Sequence, residues 1–320
     1  MKKVMIIGFS VVGNLTKLID GTKIDNFTFS VRAMGGNHFN VLPYLIKRFL
    51  DEDQPDIVVL DLVSTPCRSW ATPEAFERCL KWMTFFVGQA GKQLIFWNLF
   101  RNDVDEKTDH LLKATRRTAL DCGFGLLDMY ETLKTCNEDS DRIYWDGVHP
   151  SEYGMLFHQD SLVQYLTNAA HEVNRAKPIP IVQAAMPTSW GAKDLTTDFP
   201  MGKFERFGFH SETVDFYDEK KFSVSVPSRS SFYGVFFVTG PEAGTIEIEH
   251  SGKLQSVPVY DRWSYYARLV FSAFSGGVVS QGNVTFHQRP EIPEIALAKG
   301  EANNAKRRGS ICYLLGSVEH

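Results

Sequence analysis

Long apolar runs are missing from this chain of 320 residues. No stretch approaches the roughly 20 consecutive apolar residues that a membrane-spanning helix needs, so no membrane span is expected. Positive charge is not in excess either. Lys and Arg number 34 against 38 Asp and Glu, for a net charge of −4, and a field of that sign offers nucleic acid nothing. The one basic run, Lys306-Arg307-Arg308, reads as a solvated turn. The 5 cysteines, at 67, 79, 122, 136 and 312, are dispersed without CxxC spacing. That excludes a disulfide frame or a zinc site as organising device and fits reduced thiols in a cytoplasmic protein. HExxH, EF-hand, P-loop and GxGxxG patterns are absent, so no metal or other cofactor is expected. No repeat or low-complexity tract is visible. Met1-Lys2-Lys3 leads straight into an apolar strand that carries a candidate nucleophile. A removable leader would take that residue with it, so none is expected.

What is present suits one large or two ordinary domains: 43% hydrophobic and 22% charged residues, normal for a globular chain. Residues 1–175 alternate strand and helix patterns. Val4–Gly8, Phe27–Val31, Asp56–Val63, Gln93–Asn98 and Phe124–Met129 are short, apolar and rich in β-branched residues, as strands of a parallel sheet covered on both faces are. Between them, Phe39–Leu50 reads as a helix. Another starts at Thr72-Pro73-Glu74, with Phe76, Leu80, Met83 and Val87 at helical spacing. A further helix is expected over Asn102–Cys122, ended by Gly123, and a last one over Glu152–Val173, capped by Ser151. The β-α-β-α order predicts a doubly wound α/β domain. Near Arg175 the pattern changes. Residues 176–200, with Pro178, Pro180, Pro187 and Gly191, read as a linker. Beyond 200 the period becomes two, in Phe222–Val226, Thr245–Glu249 and Ser256–Tyr260. Short alternating runs bounded by turn residues predict a β-sandwich or jelly roll over 201–320. Its dense aromatics, from Phe232 to Phe271, read mainly as core, with carbohydrate-binding or interaction roles open.

Three places carry groups suited to acyl transfer. Ser10, in Gly8-Phe9-Ser10, follows the first strand at a strand-to-helix turn, where backbone N–H groups and the positive helix end are near. The same serine would equally cap the short helix Val11–Ile19. In Trp145-Asp146-Gly147-Val148-His149-Pro150, Asp146 and His149 stand three apart, so a carboxylate can steady an imidazole acting as general base. The bland alternative is a surface turn before the Ser151 cap. Gly35-Gly36-Asn37 follows the second strand. Its glycines let backbone approach a substrate oxygen, and Asn37 adds a side-chain donor. A plain tight turn would look the same. All three lie past predicted strand or loop ends, where open α/β sheets bind ligands.

On these motifs residues 3–170 resemble the SGNH, or GDSL-like, hydrolases. Gly8-Phe9-Ser10 is similar to the first block of that family and implies Ser10 as nucleophile. Gly36 matches the second-block glycine, whose N–H, with that of Ser10, implies an oxyanion hole. Asp146-Gly-Val-His149-Pro150 matches the fifth block and implies His149 as base and Asp146 as its partner. Phe9 stands where the family has Asp. At the third block, where an oxyanion-hole asparagine is expected, this chain has Val63-Ser64-Thr65-Pro66. Asn37, Ser64 and Thr65 are candidate replacements, while Asn102 comes one strand late and reads as a helix cap. Arg68 is a candidate substrate contact, or a surface ion pair. His38, His110, His158 and Cys67 have weaker cases. The resemblance implies a serine esterase removing a small acyl group, acetyl, from an acylated carbohydrate. Alternatives are an O-acyltransferase on the same triad and a non-catalytic scaffold.

Overall fold

The computed structural model describes residues 1–168, 181, 185–195, 198–218, 220–300 and 306–319. The chain divides into two units, Met1–Val182 with Phe207–Phe209, and Gln183–Arg206 with His210–His320.

The first unit runs β1 (Lys2–Gly8), α1 (Ser10–Ile19), β2 (Lys23–Ile24), β3 (Phe27–Ala33), α2 (Leu42–Asp53), β4 (Ile57–Leu60), α3 (Pro73–Gln89), β5 (Gln93–Asn98), α4 (His110–Cys122), β6 (Gly125–Asp128), α5 (Met129–Cys136), α6 (Ser140–Ile143) and α7 (Glu152–Asn168). The sheet order is β2-β3-β1-β4-β5-β6. β3, β1, β4, β5 and β6 are parallel, and only the short β2 is antiparallel to its neighbour. The chain leaves β1 for β3 on one side and returns to β4 on the other. The crevice of this doubly wound sheet therefore opens at the carboxyl ends of β1 and β4. Along β1, Val4 and Ile6 point into a core shared with Val11 and Leu15 of α1 and Leu162 and Leu166 of α7. Met5 and Ile7 point to the opposite face and are as deeply buried. Burial on both faces is why these strands read as unbroken apolar runs. Each such side chain contributes about 1.5–3 kcal/mol by leaving water.

Local chemistry sets the helix ends. Thr72 accepts the Ala75 N–H at the start of α3, and Ser151 accepts the Gly154 N–H in the first turn of α7. Gly123, at φ +66°, ends α4 in the left-handed region. Two helices differ from the sequence reading. Phe39–Val41 is a 3₁₀ turn before α2. The helix expected from Asn102 begins only at His110, capped by Asp109, which accepts the Leu112 N–H. Arg101–Asp109 has Val104 as its sole large apolar residue and so no stripe to bury. Its polar groups close turns instead, Asp105 accepting from the Lys107 N–H and the Thr108 hydroxyl. The expected end of the last helix at Val173 lies outside the described residues.

The second unit runs β7 (Ala185–Gly191), β8 (Met201–Arg206), β9 (Phe209–Phe216), β10 (Phe222–Ser225), β11 (Ser230–Thr239), β12 (Thr245–His250), β13 (Lys253–Pro258), β14 (Arg268–Ala273), β15 (Asn283–Gln288) and β16 (Gly309–Glu319). One sheet has the order β10-β15-β12-β13 and the other β14-β11-β16-β9-β8, with β7 also on β16. Residues 185–191, read as linker, thus form a strand. Inward residues of both sheets share one core, including Val214, Phe222, Phe237, Ile248, Phe286 and Leu314. Of the dense aromatics, Phe232 and Phe237 enter that core and Phe236 is also fully buried, whereas Tyr233, Tyr265, Tyr266 and Phe271 are half-buried and Trp263 is exposed.

Candidate active site

β1 ends at Gly8, where a larger residue would not fit: a Cβ there would lie 2.4 Å from Val12 Cγ2 and 3.2 Å from Asp61 Oδ2. Phe9 then turns the chain (φ −117°, ψ −147°) and buries its ring completely. An apolar anchor thus stands where the resembling family has a polar residue. Ser10 opens α1 without a side-chain cap, the N-cap position being Phe9. Its hydroxyl faces His149 instead, with Oγ 3.1 Å from Nε2.

His149 sits on a loop held from several sides. Asp146 Oδ1 accepts the Val148 and His149 N–H groups at 2.9 and 2.6 Å. Its Oδ2 lies 2.7 Å from His149 Nδ1. A carboxylate only accepts, so Nδ1 carries the proton and Nε2 is left to accept from Ser10. The Trp145 N–H donates to the His149 carbonyl at 3.1 Å, and the Asn102 N–H to the Gly147 carbonyl at 2.8 Å. Gly147, at φ +78°, takes the left-handed conformation the turn requires. Partial burial raises the Asp146 carboxyl, but the hydrogen bonds from the His149 N–H, the His149 ring and the Val148 N–H outweigh it, and the group lies below its usual range. It therefore stays charged beside the imidazole.

The Gly35-Gly36-Asn37 turn lies against Ser10. A Cβ on Gly35 would be 3.7 Å from the Ser10 Cα and Cβ. Gly36 has φ +80° and faces open space, since a Cβ there would meet nothing within 4 Å. The Asn37 N–H is committed to the Met34 carbonyl at 3.1 Å, and its buried side chain reaches back to the Gly35 carbonyl at 3.4 Å.

The loop beyond β4 differs from expectation. Thr65 is fully buried. Its hydroxyl accepts the Phe39 N–H at 3.1 Å and faces the Pro66 carbonyl, so it braces the neighbouring turn and is not presented to a ligand. The Ser64 N–H and hydroxyl both go to Asp61. Arg68 donates to the Val63 carbonyl and pairs with Asp109, which makes it a strut between two loops. Asn102 serves through its backbone, at Gly147. His158 is completely buried, 2.9 Å from the Tyr144 hydroxyl, and burial drives its imidazole down to about 3, so it is a neutral core residue. His38 packs against Phe39, with ring centroids 4.1 Å apart and the rings tilted by 42°.

Asp61 escaped the sequence reading. It lies at the carboxyl end of β4, fully buried, and accepts from the Val63 N–H (3.1 Å), the Ser64 N–H (3.0 Å) and the Ser64 hydroxyl. Loss of water pushes its carboxyl up to about 6, against the opposing pull of these donors and of Arg101. A lone acid inside Ile57-Val-Val-Leu-Asp-Leu-Val63 was the available signal. Arg101 reinforces the same loop, donating to the Ser64 and Thr65 carbonyls at 3.2 and 3.3 Å and pairing with Asp103. Between the turn Cys67–Ser69 and the loop Arg101–Asp109 lies a polar cleft of about 420 Å³. Ser10 and His149 do not line it, but Asn102 ties its rim to the His149 loop. Among the described residues no group of three or more His, Cys, Asp or Glu could hold a metal ion, and no helix is long and apolar enough to cross a membrane.

No protein-family model matches the sequence, and no curated protein matches it. Among solved structures, a two-domain esterase (CEX) active on acetylated mannans is similar over 100% of this chain and 92% of its own, at 12% identity and a TM-score of 0.63. A structure of such an esterase co-crystallized with mannopentaose aligns over 100% and 91%, at 13% identity and a TM-score of 0.62. A member of the lipolytic G-D-S-L family from Veillonella parvula covers 52% of this chain and 98% of its own, at 14% identity and a TM-score of 0.41. The expected fold class, a doubly wound α/β unit followed by a β-sandwich, is thus found in the chain's own topology and shared with a solved two-domain esterase.

Proposed function

We propose that this chain is an SGNH-type serine esterase that removes a small acyl group, acetyl, from an oxygen ester of a carbohydrate. One observation carries the reading: Ser10 Oγ, the His149 ring and Asp146 stand in an unbroken line, at 3.1 and 2.7 Å. A serine hydroxyl is a weak nucleophile until a base takes its proton. In the proposed reaction Oγ attacks the acyl carbon as its proton passes to Nε2. Asp146 holds the ring tautomer and stabilises the imidazolium. The carbonyl oxygen gains charge between the Ser10 and Gly36 N–H groups. When the carbonyl re-forms, the bond to the leaving alcohol breaks and that oxygen takes the proton from Nε2. Water, deprotonated by the same imidazole, then cleaves the acyl-enzyme and restores Ser10. Proton transfer by a placed base contributes about 10²–10⁴-fold, and each oxyanion donor about 10²–10³-fold.

The sugar alcohol and the acetyl group rest on likeness: the two-domain esterase active on acetylated mannans shares the fold over the whole chain. A scaffold without catalysis would have no use for the assembled line of serine, histidine and aspartate. Turnover of p-nitrophenyl acetate tests the reading. The wild type should hydrolyse it, and Ser10→Ala, folded by circular dichroism, should lose at least about 10³-fold in kcat. Equal turnover by both would refute it.

A further inference from the structure

Trp145 does no work in the triad, yet its ring lies on the triad histidine. The indole and imidazole centroids are 5.7 Å apart at an interplanar angle of 23°. The indole is 69% exposed, so it gains little from burial. A large aromatic left open over a reacting group offers a flat apolar surface to whatever is bound there.

The chemistry says which part of a substrate that is. This argument rests on the serine-esterase reading above. In the collapse step the leaving oxygen must lie within hydrogen-bond reach of His149 Nε2 to receive its proton. The carbon skeleton bearing that oxygen therefore sits beside the imidazole, where the exposed indole begins. The acyl group lies on the other side, toward Ser10 and Gly36. A pyranose has a C–H face that is apolar and hydroxyls directed outward around its edge, so its C–H face matches an open indole. The arginines of the neighbouring cleft are ion-paired, Arg68 with Asp109 and Arg101 with Asp103, which suits an uncharged alcohol.

We infer that Trp145 is a specificity-determining residue that stacks on the sugar ring of the leaving alcohol and leaves the acyl group untouched. The test compares two acetate esters, mannose pentaacetate, which offers a pyranose, and ethyl acetate, which offers no ring. Trp145→Ala should lower kcat/KM for the sugar ester about 10-fold, chiefly through KM. For ethyl acetate the change should stay within about 3-fold, with its pH profile unmoved. Trp145→Phe should recover most of the loss on the sugar ester. Equal losses on both esters would make Trp145 a support for His149 only and overturn the inference, as would an unchanged rate on the sugar ester. A wild type that cleaves ethyl acetate but not mannose pentaacetate would overturn it too. A wild type that cleaves neither ester would overturn the serine-esterase reading itself.

Discussion

Asp61 and Asp146 hold the same hydrogen-bond pattern in two loops of one unit. Each accepts, on Oδ1, the backbone N–H groups two and three residues ahead: Val63 and Ser64 for Asp61, Val148 and His149 for Asp146. Each accepts on Oδ2 from the side chain three residues ahead, the Ser64 hydroxyl or the His149 ring. Their acidities nevertheless move in opposite directions. Asp61 is sealed from water and pushed up to about 6, whereas Asp146 is about a third exposed and lies below its usual range. Donors alone do not fix a carboxyl's charge; access to water decides when the donors are alike. The functional contrast follows. The loop after β4 turns its polar groups inward: Asp61, Ser64 and Thr65 bond to one another's surroundings, and Arg68 and Arg101 clamp its carbonyls. The Asp146 loop spends its carboxylate on presenting one imidazole to Ser10.

If that division is right, amide replacements at the two aspartates should separate by orders of magnitude. Asp146→Asn removes the charge that supports the imidazolium and unsettles its tautomer, and kcat should fall about 10³–10⁴-fold. Asp61→Asn keeps an acceptor for the two N–H groups, and the Ser64 hydroxyl can rotate to accept from the new amide. Its kcat should stay within about 10-fold. Steady-state kinetics on p-nitrophenyl acetate with both folded variants measures this, and equal losses would place Asp61 in the reaction.

The second expected effect is on stability. Asp61 has an ordinary value of 3.8 and a folded value of about 6, so the folded state keeps a proton that the unfolded chain releases. Its contribution is fully present below about pH 4 and is lost as pH rises through about 6. Two pKa units correspond to about 3 kcal/mol. His158 acts in the opposite sense. Its folded value of about 3 lies below the ordinary 6.5, so its contribution is present above pH 6.5 and is lost as pH falls toward 3. The two partly cancel in the wild type. Urea unfolding of the wild type and Asp61→Asn at pH 4 and pH 7 isolates the aspartate: relative to the variant, the wild type should lose on the order of 3 kcal/mol on going to pH 7. No change in that difference would show that folding leaves the Asp61 carboxyl at its ordinary value.

The sheet was legible because its strands are buried on both faces, which leaves unbroken apolar runs such as Val4–Gly8 and the Leu94–Trp97 centre of Gln93–Asn98. Ser10, Asp146 and His149 were legible as candidates because each follows a strand or begins a turn with a distinctive residue pattern, and the structure brings these three together, with Gly35 of the glycine turn against Ser10. What stayed hidden depended on partners distant in sequence. Nothing near Arg68 announces that Asp109 will take it, and Thr65 looks free until Phe39 folds against it. The start of α4 was misplaced because the stretch before Asp109, rich in Asn, Asp and Thr and lacking an apolar stripe, was joined to the helix that follows it. Trp145 adjoined the recognised motif, but its exposure over His149 is a property of the folded loop.

The central claim is that the Ser10 hydroxyl is activated by His149 through Asp146. Labelling with a serine-directed fluorophosphonate, read by peptide mass spectrometry on the intact chain, addresses it. The expected result is one adduct, on Ser10, absent from Ser10→Ala and formed far more slowly in Asp146→Asn. An adduct on another residue, or no adduct on a folded and otherwise intact protein, would contradict it.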